Sequence, residues 1–161
     1  MIVVADASPL IALARIGRLE LLHAVFGTLL LPEAVWRELV EPGLDKVGAG
    51  ELSHSIWIER RAVADAGLVA LLRHDLGAGE AEAIVLAREV CAELVLLDER
   101  MGRAAAKRLG LRVTGLVGVL IEARERGLLD DAEVVVNDLH QKAGFWLSDE
   151  LRRMVVGEGS A

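Results

Sequence analysis

Short apolar runs alternate along the chain with stretches whose apolar residues recur every three or four positions. Runs of this length read as buried strands, and the longer spacing reads as amphipathic helices. The strand-like runs are Ile2 to Ala5, Thr28 to Leu31 and Leu94 to Leu97, with a weaker one at Ile56 to Ile58 and a short one at Leu111 to Val113. After the first run, Ser8 reads as a helix N-cap with Pro9 at the first helical position. Further helices are predicted from Pro32 to Val40, Ala66 to Arg73, Glu80 to Val90, Glu99 to Leu109, Leu116 to Arg126, Asp131 to Lys142 and Ser148 to Val156. Strands alternating with helices predict an α/β fold in three layers, a central mostly parallel sheet flanked by helices. The Gly- and Pro-containing segment Glu41 to Gly50 reads as a loop. It is too short to divide the chain, so residues 1–156 are expected to form one domain, with 157–161 a flexible tail.

Composition narrows the function classes. The 161 residues suit one domain, and 53% hydrophobic against 27% charged residues excludes a disordered chain. Lys and Arg number 18 and Asp and Glu 25, a formal charge of −7, which argues against a general electrostatic binder of nucleic acid. It does not exclude an enzyme that places metal ions between its own carboxylates and a phosphate. The single cysteine, Cys91, excludes an internal disulfide framework and a cysteine-rich zinc site. The stretch Leu21 to Pro32 is too short to span a bilayer, and the N-terminus lacks the basic region of a signal peptide. No membrane association is expected, and the expected compartment is the cytoplasm. His23, His54, His74 and His140 are scattered without metal-ligand spacing and read as structural or surface groups. Trp36, Trp57 and Trp146 read as core or interface packing.

Four acids stand at telling places. Asp6 follows the first strand and Asp98 the third strong one, where the carboxyl ends of parallel strands form a ligand crevice. The plainer reading of Asp98 is a cap for the helix at Glu99; for Asp6 that reading is weaker, because Ser8 supplies the cap. Glu38 shares an expected inward helix side with Val35 and Leu39 and has no basic partner one turn away. Glu33 and Glu41, by contrast, flank Arg37 in what reads as a solvated charge ladder. Glu80 opens a helix on a face continued by Ile84, Ala87 and Cys91, whereas Glu82 reads as solvated or as a complement to the helix dipole. Oxygen-only acidic clusters suit hard cations such as Mg²⁺ or Mn²⁺, and carboxylates sharing a pocket repel one another without one. Such sites activate water and stabilise phosphoryl oxygens, so the residues point to metal-dependent phosphoryl chemistry.

The stretches Val4-Ala-Asp-Ala-Ser-Pro-Leu-Ile11, Pro32-Glu-Ala-Val-Trp-Arg-Glu-Leu39, Leu76-Gly-Ala-Gly-Glu-Ala-Glu-Ala-Ile84 and Leu96-Leu-Asp-Glu-Arg-Met-Gly-Arg-Ala-Ala105 together resemble the PIN-domain nucleases, in particular the compact prokaryotic proteins allied to VapC-type toxin ribonucleases. The resemblance runs from residue 1 to about residue 155. It implies a metal-dependent endoribonuclease, using Mg²⁺ or Mn²⁺ and a metal-activated water on an RNA substrate, and the toxin of a toxin–antitoxin pair with an antitoxin protein as partner. Asp6, Glu38, Glu80 and Asp98 match the family's four acids: Asp6 and Asp98 as direct metal ligands, Glu38 and Glu80 as ligands or as groups that orient metal waters. Ser8 stands where the family carries a polar residue near the metals. Leu96 departs from the small hydroxyl residue common there in VapC relatives. Arg100 and Arg103, with Lys107 and Arg108, crowd the helix after Asp98 and are the candidate phosphate contacts, a solvated face being the plainer reading of each. Val119, Leu120, Trp146 and Met154 are candidates for a homodimer surface, with core the plainer reading. Two other classes compete. A haloacid-dehalogenase-type phosphatase needs Asp-x-Asp after the first strand, which Asp6-Ala7-Ser8 lacks. A non-catalytic PIN-like binding module is disfavoured by retention of all four acids.

Overall fold

The computed structural model describes residues 1–40, 52 and 55–157. In chain order the described elements are β1 (Val3–Ala5), α1 (Ala7–Arg15), α2 (Glu20–Phe26), β2 (Leu29–Pro32), α3 (Glu33–Val40), β3 (Ile58–Arg61), α4 (Ala66–Leu72), α5 (Ala78–Glu89), β4 (Leu94–Leu96), α6 (Arg100–Arg108), β5 (Val113–Thr114), α7 (Leu116–Glu125), α8 (Ala132–Lys142) and α9 (Asp149–Val156). The strands form one all-parallel sheet in the order β3-β2-β1-β4-β5.

Both sheet faces are covered, as apolar strands in a parallel sheet require. Successive residues point to opposite faces. Val3, Ala5, Leu29, Leu31 and Leu96 pack into a larger core with α1, α2, α3, α7, α8 and α9. Val4, Leu30, Val95 and Leu97 pack into a second core with Ile84, Leu86, Ala105 and Ala106 of α5 and α6. Helix α5 is buried on nearly every side from Ala81 to Ala87, so the sheet holds its N-terminal turn in a fixed place. Among the described residues no helix is long and apolar enough to cross a membrane.

Several boundaries differ from expectation. Helix α1 begins at Ala7, and Asp6, not Ser8, is the N-cap residue. Pro9 therefore sits in the first turn, where its missing N–H costs no helical bond. Pro32 ends β2 rather than opening α3. The weak strand lies at Ile58–Arg61, not Ile56–Ile58, and Ile56 is fully exposed. As the sheet's edge, β3 exposes Glu59, Arg60 and Arg61, the charged pattern that protects an edge and hides it from a search for apolar runs. The expected loop at Glu41 to Gly50 and residues 158–161 of the expected tail lie outside the described residues.

The proposed dimer set divides. Val119 and Leu120 are core, whereas Trp146 is 76% exposed and Met154 is also exposed. Trp146 stacks on His140, with ring centroids 4.6 Å apart, and His23 stacks on the buried Trp57. His140 Nε2 also accepts from the Leu147 N–H at 3.1 Å. His54 lies outside the described residues.

Candidate functional site

The order of the strands creates the site. From β1 the chain steps outward to β2 and β3, then returns to place β4 on the other side of β1. Beyond the carboxyl ends of β1 and β4 the connections diverge and leave a crevice. Asp6 immediately follows β1, and its N–H donates to Leu96 O of β4 at 3.0 Å. Asp98 stands two residues beyond β4, after Leu97 has bonded to Thr114 O of the next strand.

A cavity of about 580 Å³ opens here, lined by Asp6, Ser8, Arg37, Glu38, Glu80 and Glu99, with the turn Gly77 to Gly79 as its wall. The structure thus brings together Asp6, Glu38 and Glu80 with Ser8. Asp98 lies next to them rather than in the same lining. Its carboxylate forms part of an adjoining, mostly apolar cavity of about 440 Å³ that also holds Arg103, Trp146 and Met154. A larger cavity of about 640 Å³, between α4 and α6, shares no residue with the acidic one.

Asp6 is 4% exposed and occupies the α1 N-cap position without making a side-chain capping bond. Burial pushes its carboxyl up to about 7, the Ala7 N–H opposes the shift, and the charges of Glu38, Glu80 and Asp98 add to it. All three other acids therefore act on Asp6. Glu80 is half-buried at the third position of α5, where its carboxyl turns back toward the Gly77 N–H like half of a capping box. Burial raises it, with Glu99 and Glu38 contributing in the same direction.

Asp98 does not cap the helix that follows it. Its Oδ1 accepts from the Leu116 N–H at 2.9 Å and so caps α7 instead. Its Oδ2 is buried and has no hydrogen-bond partner. Burial raises this carboxyl too, against the Leu116 N–H and the Arg103 guanidinium, with Glu99 adding to the rise. Glu38 departs from expectation: it is exposed at the mouth of the cavity rather than turned inward. Its position still serves the site. An added Cβ on Gly79 would lie 3.0 Å from both Asp6 Oδ1 and Glu38 Oε2, so the two carboxylates converge over that bare backbone.

Two more glycines make room for acids. A Cβ on Gly102 would lie 2.6 Å from Glu80 Oε2, and one on Gly115 would lie 2.6 Å from Asp98 Oδ1. Sequence reasoning missed these glycines because each serves a carboxylate from another element. Arg37, which the sequence places in a solvated charge ladder, lines the acidic cavity, and so does Glu99. Glu82 reverses its expectation: it is half-buried and accepts from the Ala34 N–H at 3.1 Å, tying α5 to the start of α3. Of the two candidate arginines, Arg103 is anchored by donating to Leu97 O at 2.9 Å, and Arg100 is exposed outside the acidic lining.

The donors fit a hard divalent cation. All are oxygens, one buried oxygen lacks any partner, and the burial penalty on Asp6 is of the kind a cation relieves. Among the described residues no group of three or more His, Cys, Asp or Glu side chains is already arranged around an ion position. Holding a cation here would call for side-chain adjustment, for which the exposed Glu38 is best placed.

The model of one protein family, described as a PIN domain (DUF3368), matches residues 2–159. No curated protein matches the chain.

Proposed function

The chain belongs to the PIN-domain family, whose members are generally nucleases, and we propose that it is a metal-dependent endoribonuclease. The observation that carries this reading is Asp6: a buried, uncapped carboxyl at the strand crossover with three further acids acting on it. An arrangement so costly without a counter-charge has a use when a cation is bound.

Asp6 and Asp98 would hold Mg²⁺ or Mn²⁺ directly, and Glu38 and Glu80 would complete the site or orient its waters. The bound ion supplies positive charge for the phosphoryl oxygens and makes water a nucleophile near neutral pH. The protein fixes the rest. Capping of α7 through Oδ1 holds Asp98 in place, Gly79 lets Asp6 and Glu38 converge, and Ser8 offers a hydroxyl at the cavity surface. Attack by water on phosphorus with loss of the 3′-oxygen leaves a 5′-phosphate and a 3′-hydroxyl.

The test is cleavage of a mixed single-stranded RNA with Mn²⁺, Mg²⁺ or EDTA, by wild type and Asp6→Asn. Metal-dependent cleavage with 5′-phosphate ends, lost in the variant, supports the reading. No cleavage with either metal would favour a binding module built on the same fold. The toxin role rests on the VapC-like motifs, with a partner protein entering the acidic cavity to block it. Growth arrest on expression of wild type but not of Asp6→Asn tests that role.

A further inference from the structure

The geometry points to Arg37 as the residue that takes a phosphate of the nucleic-acid strand at the mouth of the acidic cavity. This rests on the reading of that cavity as a cleavage site. In the sequence Arg37 looks engaged, one helical turn from both Glu33 and Glu41, the latter outside the described residues. In the structure Glu33 belongs to Arg60 of the edge strand. Arg60 Nε lies 2.8 Å from both carboxylate oxygens of Glu33, and Nη2 lies 2.6 Å from one of them. The same guanidinium lies over the Trp36 ring, 5.6 Å from its centroid, a second attraction that holds it against α3. Arg37 reaches Glu33 only through longer-range attraction and is exposed. It lines the acidic cavity beside Glu38, and among the described residues it is the one cation in that lining.

Charge explains why a cation is needed there. Among the described residues the lining presents four carboxylates, those of Asp6, Glu38, Glu80 and Glu99. Divalent ions, when bound, would offset them at the phosphate being cleaved, but a neighbouring phosphate of the same strand would meet the acidic rim without an ion of its own. A guanidinium presents a planar fork of donors suited to phosphate oxygens, and phosphate contacts set the register of a bound strand. The alternatives are poorly placed: Arg103 is tethered to Leu97 O, and Arg100 stands outside the lining. A strand held at Arg37 would cross the cavity mouth from α3 toward Asp98.

The test measures binding of a fluorescent single-stranded RNA to Asp6→Asn protein, which separates binding from cleavage, over a range of salt concentrations. Adding Arg37→Ala is expected to weaken binding roughly tenfold. It should also lower the salt dependence by about 0.7, the share of one single-strand phosphate contact. Arg37→Lys should keep that salt dependence while losing part of the affinity, because it retains the charge without the fork. Arg15→Ala, exposed at the far end of α1, is the control and should change neither. Manganese titration of Arg37→Ala with Asp6 intact should show binding no weaker than wild type. Equal affinity and equal salt dependence with and without Arg37 would overturn the inference and leave the nuclease reading standing. Failure of every variant to bind RNA, together with no cleavage by wild type, would overturn both. A loss of manganese binding in Arg37→Ala would also overturn it, by making Arg37 part of the metal site's architecture.

Discussion

Asp6→Asn should stabilise the metal-free protein, and the gain should depend on pH in a defined direction. The Asp6 carboxyl is raised from an ordinary 3.8 to about 7. Below pH 3.8 folded and unfolded chains both hold the proton, so the site costs nothing. Between 3.8 and 7 the unfolded chain releases its proton while the folded chain keeps it, and stability falls as pH rises. Above 7 the cost is level. A rise of a little over three units, at about 1.36 kcal/mol each, sets it on the order of 4 kcal/mol. Asparagine has nearly the same shape and cannot ionise, so the variant escapes this cost.

For a chain of this size about 1 kcal/mol moves the melting temperature by roughly 3 °C, so the variant should melt up to about 10 °C above wild type at pH 8. The difference should shrink toward zero near pH 4. Thermal unfolding in EDTA, followed by circular dichroism from pH 4 to 9, reads both quantities. A difference that is the same at pH 4 and pH 8, or a variant less stable than wild type at pH 8, would refute the reasoning. In that case the Asp6 carboxylate would be stabilised by groups around it rather than penalised.

Three further outcomes follow from the same geometry. Mn²⁺ at about a hundred times its dissociation constant should stabilise wild type by about 2.7 kcal/mol at pH 8 and by less at pH 5, where protons compete for Asp6; an equal rise in Asp6→Asn would place the ion elsewhere. Glu82→Ala should cost about 1 kcal/mol by stripping the acceptor from the Ala34 N–H, while Glu82→Gln should cost little because its amide oxygen still accepts; denaturant unfolding of the pair decides. Gly115→Ala puts a methyl group 2.6 Å from Asp98 Oδ1 and 2.8 Å from the Arg103 guanidinium, so it should destabilise the fold by about 1–3 kcal/mol and weaken manganese binding in calorimetry.

The α/β class and the sheet's covered faces were legible because β1, β2 and β4 are buried runs whose alternate residues feed two cores. The edge strand was misplaced because its residues face solvent and carry charge. Asp6 and Asp98 were legible by their places after strands, Glu80 by its place in a first turn, and Glu38 by a helix side with no basic partner. Their environments were not, because those depend on residues brought from elsewhere. Helical spacing around Glu38 predicted an inward side chain, but the cavity at the end of the sheet leaves that side of α3 open. Arg37 looked paired because an intrahelical partner is visible in sequence, whereas its competitor Arg60 comes from a strand 27 residues from Glu33.

The three glycines show how a cluster of like charges is held without a cage of basic residues. Gly79, Gly102 and Gly115 stand on three different elements or their caps, and each leaves the space of one Cβ to a carboxylate. Removing side chains lets acids approach backbone, whose N–H groups at Gly77 and Leu116 provide partial positive charge without competing for the open face of the site. Arg103 already offsets part of the Asp98 charge, and a further lysine or arginine in place of these amides would compete with a cation for the acids. Backbone amides offset only part of the charge, so Asp6, Glu80 and Asp98 all remain raised. In the proposed metal site the incomplete compensation would supply the affinity: the free energy that burial withholds from the ionised acids would become available when a cation arrives. On this argument the stability gained by Asp6→Asn and the metal affinity it loses have one origin. They should be lost together by any substitution that opens the cavity to water around Asp6.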